Sequence, residues 1–342
     1  MSTQTPSGHT PANHTHSRRT ILSAGAAGAA GLVAAGAGLL TPAPRAAAHP
    51  GAAGTRRRVL RLAHLTDTHV QPERQGMQGM AACLRHAQSA HGSLDLILAG
   101  GDNVMDVMGN TRERGDVLRH AWQSVLSGEC SVPVEHCIGN HDVWGWNKDK
   151  SKTTGDEPLW GKKWALDAFG LEKPYRFFDR AGWRFIILDS TFPGPSGHSY
   201  TARLDDAQFA WLESTLRDTP RTTHVLVLSH IPIMCACAMF DGDNEKDGNW
   251  NIPGQWMHID ARRIKDLFLK HPNVKVCLSG HIHLVDKVEY LGVTYYCNGA
   301  VSGGWWKGPC QEFDPGYGLV DLYDDGSSEC RYVTFGWKAA TE

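Results

Sequence analysis

The run LSGHIHLVD, residues 278–286, sets His281 and His283 one residue apart behind an apolar stretch and a glycine. Four other runs carry donors of the same kinds: DTH at 67–69, GGDN at 100–103, GNHD at 139–142 and LSH at 228–230. Carboxylate, imidazole and amide oxygen are the donors that suit hard and borderline metal ions. A carboxylate has two oxygens and can bridge two cations. Two cations about 3.5–4 Å apart can clamp a phosphoryl group and generate hydroxide at neutral pH. A histidine at one strand end is more often structural than ligating, so the case for metal rests on all five runs together.

These donors need elements to bring them together. VLRLAHLTD (59–67), LDLILAGGDN (94–103), VPVEHCIGNHD (132–142), HVLVLSH (224–230) and VKVCLSGHIH (274–283) each read as an apolar strand running into a donor. Asp67, Asp102, Asn140, His230 and His281 thus fall at or just past strand ends. Helical spacing appears over 79–92, 114–126 and 259–272, and over 204–218, where Phe209, Leu212 and Leu216 share one face. The run 175–190 reads as a hairpin turning at Arg180–Gly182, and further strands and hairpins follow His283. Strands alternating with helices predict an α/β sheet core. Open sheets of that kind bind ligands beyond the carboxyl ends of their strands. If 280–283 is extended, His281 and His283 point to one side and Ile282 turns into the core.

Composition is that of an ordinary globular chain of 342 residues, 41% hydrophobic and 20% charged, with 18 histidines and 12 tryptophans. A net charge of −2 gives no nucleic-acid-binding footprint. Residues 1–48 read as a twin-arginine export signal: Arg18–Arg19, an Ala/Gly-rich apolar stretch and an A-x-A-type site at Ala46–Ala48. The stretch is long enough to span a membrane, but so rich in Ala and Gly that it makes a poor lipid anchor. Residues 49–58 read as a flexible lead-in and 59–342 as one catalytic domain. The partner implied is the twin-arginine export machinery, and the destination is periplasmic or extracellular. Nine cysteines follow the leader, an odd number. Their pairing is not legible, Cys310 with Cys330 being one possibility.

The five runs resemble the calcineurin-like metallophosphoesterases, whose pattern is D-x-H, G-D, G-N-H-D/E, H and G-H-x-H. The resemblance spans roughly 60–300 with every block intact, in order. It implies a four-layer α-β-β-α sandwich, two mixed sheets flanked by helices. It implies two metal ions, manganese, iron or zinc, with Asp67, His69 and His283 on one, Asn140, His230 and His281 on the other, and Asp102 bridging. His141 would face the phosphate and act as general acid while a metal-bridging hydroxide attacks phosphorus. Purple acid phosphatases have other residues where this chain has His69 and Met105. Ser/Thr protein phosphatases carry an Asp and an Arg that GDNVMDVMG lacks in register. D-x-H with GNHD most resembles the cyclic-nucleotide-phosphodiesterase-like branch. The usual carboxylate partner of His141 is left open: Asp106 is a candidate, although it reads more readily as a solvated loop residue.

The function implied is an exported dinuclear metal phosphohydrolase acting on a small-molecule phosphate ester, a phosphodiesterase ahead of a phosphomonoesterase or nucleotidase. A non-catalytic binding module is a further alternative, disfavoured because no ligand and no GNHD histidine is missing. Trp144, Trp305 and Trp306 are open to three readings, stacking a base, shielding the site or packing the domain. DGDNEKDGN, 241–249, lacks the closing Glu of a calcium loop, since Gly254 stands at position twelve counted from Asp243, and reads as a solvated loop.

Overall fold

A computed structural model describes residues 56–195 and 199–340; the export signal and most of the lead-in lie outside them. The first half of the chain forms β1 (Arg58–Leu65), α1 (Gly76–Ser89), β2 (Leu96–Ala99), α2 (Arg112–Glu129), β3 (Val134–His136), α3 (Lys148–Ser151) and α4 (Lys162–Phe169). The middle forms β4 (Arg176–Arg180), β5 (Trp183–Ile187), β6 (Thr191–Pro193), β7 (Tyr200–Ala202), α5 (Asp206–Asp218) and β8 (His224–Leu228). Then come β9 (Glu245–Lys246), β10 (Asn249–Trp250), α6 (Ala261–Lys270), β11 (Val274–Ser279), β12 (Asp286–Tyr290), β13 (Val293–Cys297), β14 (Gly316–Tyr323) and β15 (Ser328–Thr334).

The long strands form two mixed sheets. One has the order β15-β14-β1-β2-β3, the other β12-β13-β11-β8-β5-β4. In the first, β1, β2 and β3 run parallel and β14 and β15 continue the sheet on one side through antiparallel pairings; in the second, β13, β11, β8 and β5 run parallel between antiparallel β12 and β4. The parallel strands are apolar on both faces because both faces are covered. Leu60 and Leu62 of β1, Leu96 and Leu98 of β2, Leu226 and Leu228 of β8, and Val276 and Leu278 of β11 meet between the sheets. Residues of opposite parity face helices: Ala63, Leu65, Ile97 and Ala99 pack with Met80, Leu84, Leu118, Trp122 and Trp164. On the other sheet Val225 and Val227 pack with Phe209, Leu212, Leu216, Ile264 and Phe268. The result is the four-layer α-β-β-α sandwich. Truncating Leu228, fully buried between the sheets, costs about 2–5 kcal/mol.

Helix starts follow ordinary capping chemistry: Thr111 Oγ1 accepts from Arg114 N at 3.4 Å and Asp205 Oδ1 from Gln208 N at 2.7 Å. The stretch 241–249, expected as a loop, contributes to an exposed hairpin, β9 and β10, turned by Asp247–Gly248 with φ of 52° and 75°. All nine cysteines are free thiols. Cys330 on β15 reaches Asn298 Oδ1 at 3.4 Å, and Cys310 belongs to another cluster, so no bridge joins them. Among the described residues no helix is long and apolar enough to cross a membrane.

Candidate metal centre

The sequence places each donor just past a strand, and the sheets bring those strand ends to one place. Asp67 and His69 follow β1, Asp102 follows β2, Asn140 and His141 follow β3, His230 follows β8, and His281 and His283 follow β11. Within the first sheet, Asp67 N donates to Gly101 O and His69 N to Asp102 O, both at 3.0 Å. Bonds also cross between the sheets, among them His281 N to Asp67 Oδ2 at 2.8 Å and His230 Nδ1 to Gly100 O at 3.0 Å.

Three groups of donors come within 4.8 Å of one another: Asp67, His69 and His283; Asp102, His230 and His281; and His69, Asp102 and His141. Asp102 belongs to two of them, with Oδ2 3.2 Å from His230 Nε2 and 3.8 Å from His69 Nε2. His283 Nε2 lies 3.4 Å from Asp67 Oδ1 and 3.2 Å from His69 Nε2. Seven of the eight site residues named from sequence fall in these groups, and Asn140 lines the same cleft as Asp102, His141, His281 and His283.

The donors fit a metal. Asp67 Oδ1, Asn140 Oδ1, His230 Nε2 and His281 Nδ1 are buried and have no hydrogen-bond partner in the protein. A buried lone pair left unmatched costs about 1–3 kcal/mol, which a cation offsets. Three imidazoles set Nδ1 against a backbone carbonyl: His69 on Met105 at 3.2 Å, His230 on Gly100 at 3.0 Å and His283 on Gly303 at 2.6 Å. Nδ1–H then donates outward and Nε2 presents its lone pair inward, the orientation that second-layer partners give ligating histidines.

The backbone is strained where the donors sit. Asp67, His69, Asp102, His281 and His283 have φ of 53°, 42°, 50°, 72° and 62°. Left-handed conformations of non-glycine residues cost about 1–3 kcal/mol each and collect at functional sites. This corrects the expectation of an extended 280–283. Left-handed bends, not strand alternation, aim the two imidazoles into different groups, although Ile282 is buried as expected. Two glycines are fixed by contact. A Cβ on Gly101, at φ 100°, would meet His230 Nδ1 at 2.5 Å, and one on Gly280 would meet Asp67 Oδ2 at 2.2 Å.

Burial would raise the Asp67 and Asp102 carboxyls, but the histidines around them hold both well below the ordinary carboxylate range. Burial pushes His69 and His281 down to about 3 and keeps them neutral, the form that ligates. Burial opposes charge on His230 too, but Asp102 and Asp67 outweigh it and push it up to about 9, so that where no cation occupies the spot Nε2 carries a proton toward Asp102 in place of its lone pair. The two carboxylates draw positive charge to this spot.

Three residues were missed or misjudged from sequence. Asp106 is not a solvated loop residue: Oδ1 lies 3.4 Å from His141 Nδ1, long for a hydrogen bond but close for a charge pair. Met108 N and Gly109 N donate to its carboxylate and fix it. Burial opposes charge on His141, but Asp102 and Asp106 push it up to about 9. Asp142 is fully buried and accepts from Gly139 N at 2.9 Å, Asn103 Nδ2 at 2.9 Å and Asn103 N at 3.0 Å, locking GGDN to GNHD. The fourth letter of GNHD was the signal for it. Ser302 donates through Oγ to Asp67 O at 2.7 Å, and nothing local in VSGG announces that.

The centre opens into a cleft of about 410 Å³. Asn140, His141, His281 and His283 line it with Tyr200, Asp241, Trp256, Trp305 and Gln311.

The family model described as calcineurin-like phosphoesterase matches residues 60–285. The 3′,5′-cyclic adenosine monophosphate phosphodiesterase CpdA of Escherichia coli is 24% identical over 281 residues, 78% of this chain and 87% of that protein. A probable cyclic nucleotide phosphodiesterase of Rhodococcus erythropolis is 25% identical over 284 residues, 77% of this chain and 80% of that protein. A dimetal phosphatase of Danio rerio shares the fold with a TM-score of 0.53 at 16% identity, covering 82% of this chain and all of that one.

Proposed function

Because the chain belongs to the calcineurin-like phosphoesterase family and is a metal-dependent phosphoester hydrolase, we propose that it is a dinuclear phosphodiesterase. One ion would be held by Asp67, His69 and His283, the other by Asn140, His230 and His281, with Asp102 shared. Manganese, iron and zinc all suit these donors. Bound there, the ions supply charge neutralisation at the phosphate oxygens and a lowered pKa for water. The observation that carries the reading is that donors from both sheets gather around the carboxylate of Asp102, His69 and His141 from one and His230 and His281 from the other.

The chain's own part is orientation and proton transfer. Left-handed bends and carbonyl clamps fix the imidazoles before substrate arrives, so little reorganisation is needed. Asp106 faces Nδ1 of His141, and His141 Nε2 is aimed toward the centre, 4.0 Å from Asp102 Oδ2. From there it can give a proton to the departing ester oxygen, which then leaves as a neutral alcohol. General acid catalysis of this kind contributes about 10²–10⁴-fold. Cleavage of a diester rather than a monoester is supported by the D-x-H and GNHD pattern and by the cyclic nucleotide phosphodiesterases among the relatives.

The test is turnover of bis-p-nitrophenyl phosphate against p-nitrophenyl phosphate by the purified chain supplied with Mn²⁺. Preference for the diester is expected. Preference for the monoester would move the reading to a phosphomonoesterase, and cleavage of neither with Mn²⁺, iron or Zn²⁺ would overturn it. Export by the twin-arginine route, with 59–342 as one catalytic domain, completes the proposal on the strength of the leader sequence. Retention of the product in the cytoplasm when Arg18 and Arg19 are both replaced by Lys, and not otherwise, is the expected result.

A further inference from the structure

The structure separates the three tryptophans that follow the metal-binding runs. Trp144 and Trp306 are packing residues, 4% and 1% exposed. Trp306 Nε1 donates to His69 O at 3.0 Å, and its ring meets Trp337 edge-on at 5.8 Å. Trp305, its neighbour, is 38% exposed and lines the cleft. Its ring centroid lies 4.7 Å from that of His283, tilted by 38°, and 6.0 Å from that of His69.

Nothing in packing alone calls for this arrangement. Burying an indole is favourable, and leaving one half in water beside a polar centre forfeits part of that gain. The backbone is also strained to achieve it: Trp305 and Trp306 have φ of 54° and 65°. Bulky side chains rarely adopt such values, which cluster at ligand clamps. The buried Trp306 anchors the turn, with its N–H on Ser302 O at 2.8 Å, and Trp305 is thereby turned outward over the centre. Tyr200, which meets His281 edge-on at 6.0 Å, and Trp256 line the same cleft.

We propose that Trp305 is the stacking platform for a planar heteroaromatic group of the substrate, the class to which nucleobases belong, held beside the phosphate-binding centre. The inference rests on the phosphoester-hydrolase reading and names the part of the substrate that the metal ions cannot recognise. Every base has a π-face, so the platform favours bases over their absence and discriminates weakly among them.

The experiment titrates the metal-loaded protein with AMP and with ribose 5-phosphate, which share sugar and phosphate and differ by the base. The unsubstituted protein is expected to bind AMP about tenfold more tightly, within the range of base–aromatic stacking. W305A should lower AMP affinity about tenfold with ribose 5-phosphate and metal content unchanged, and W305F should keep most of the preference. Equal affinities in the unsubstituted protein, no binding of AMP, or a preference that survives W305A would overturn the proposal. So would a W305A protein that loses metal and weakens both ligands together, which would make Trp305 a shield for His69 and His283. Turnover of bis-p-nitrophenyl phosphate, run in parallel, tests the phosphodiesterase reading separately, since the AMP to ribose 5-phosphate ratio does not depend on cleavage.

Discussion

The two halves of the proposed centre are built differently. Asp67, His69 and His283 form a more closed half, from which only His283 reaches the cleft, and both imidazoles back onto carbonyls. Asn140, His230 and His281 form an open half. There only His230 has such a clamp, while Asn140 and His281 border the cleft with an unpartnered atom each. A closed, pre-oriented set holds a cation with little rearrangement. An open set leaves room for water or substrate to complete the coordination, as catalytic metal sites do. Substrate is therefore expected to meet the open half first, with His141 standing at the border between the halves, beside His69 and Asp102.

The largest effect should come from the residue common to both halves. D102N should lose both ions and at least about 10³-fold in turnover, the loss of several kcal/mol of charge stabilisation. Metal analysis beside kinetics checks it, and two ions retained with normal turnover would remove Asp102 from the bridging position. Next, H281A and H283A should each lose one ion and about 10²–10³-fold in turnover. H283A should unfold at the lower temperature, because it also orphans Gly303 O inside the closed half. The reverse order of melting would break the comparison. Chelation of the metal-loaded protein should then proceed in two phases, the faster from the open half, and H281A should abolish the fast phase. A single phase would mean that the halves do not differ in access.

This asymmetry was only partly legible in the chain. The parallel strands announced themselves because burial on both faces demands runs such as LILA and HVLVL, and the five donor blocks stood at their ends. Two readings failed for a shared reason, that they concern loops. Asp106 was judged solvated because a lone Asp after a glycine-rich run says nothing of the two N–H groups that fix it against His141. His281 and His283 were placed on an extended segment because period-two spacing is what a strand would need, whereas left-handed bends produce the same spacing with different aims. The carbonyl of Gly303 and the hydroxyl of Ser302 come from far along the chain, so only the closed sandwich reveals them. The short helices α3 and α4 were missed because four and eight residues show too little periodicity.

Asp106 offers a milder test on the open side. D106N keeps the shape and removes the charge facing His141, so the imidazole loses its electrostatic partner and some of its orientation. A fall of about tenfold in kcat is expected, with KM and metal content unchanged, as for a positioning residue acting through another. A matching rise in KM would instead place Asp106 in substrate binding.

The smallest expected effect on chemistry, and a sharp one on stability, lies behind the closed half. His64 is fully buried on β1, accepts from Asn298 Nδ2 at 2.9 Å and leaves Nε2 without a partner. Burial pushes it down to about 4. An unfolded imidazole takes its proton near pH 6.5 and the folded one only near 4, so between those values the unfolded chain binds more protons and stability is lost as pH is lowered. Above pH 6.5 both forms are neutral and the effect vanishes. The gap corresponds to about 3 kcal/mol. H64N should flatten the decline of the urea midpoint between pH 6.5 and 4 by an amount of that order. An unchanged slope would mean that water or a proton reaches this residue, and that the closed half is less dry than its burial implies.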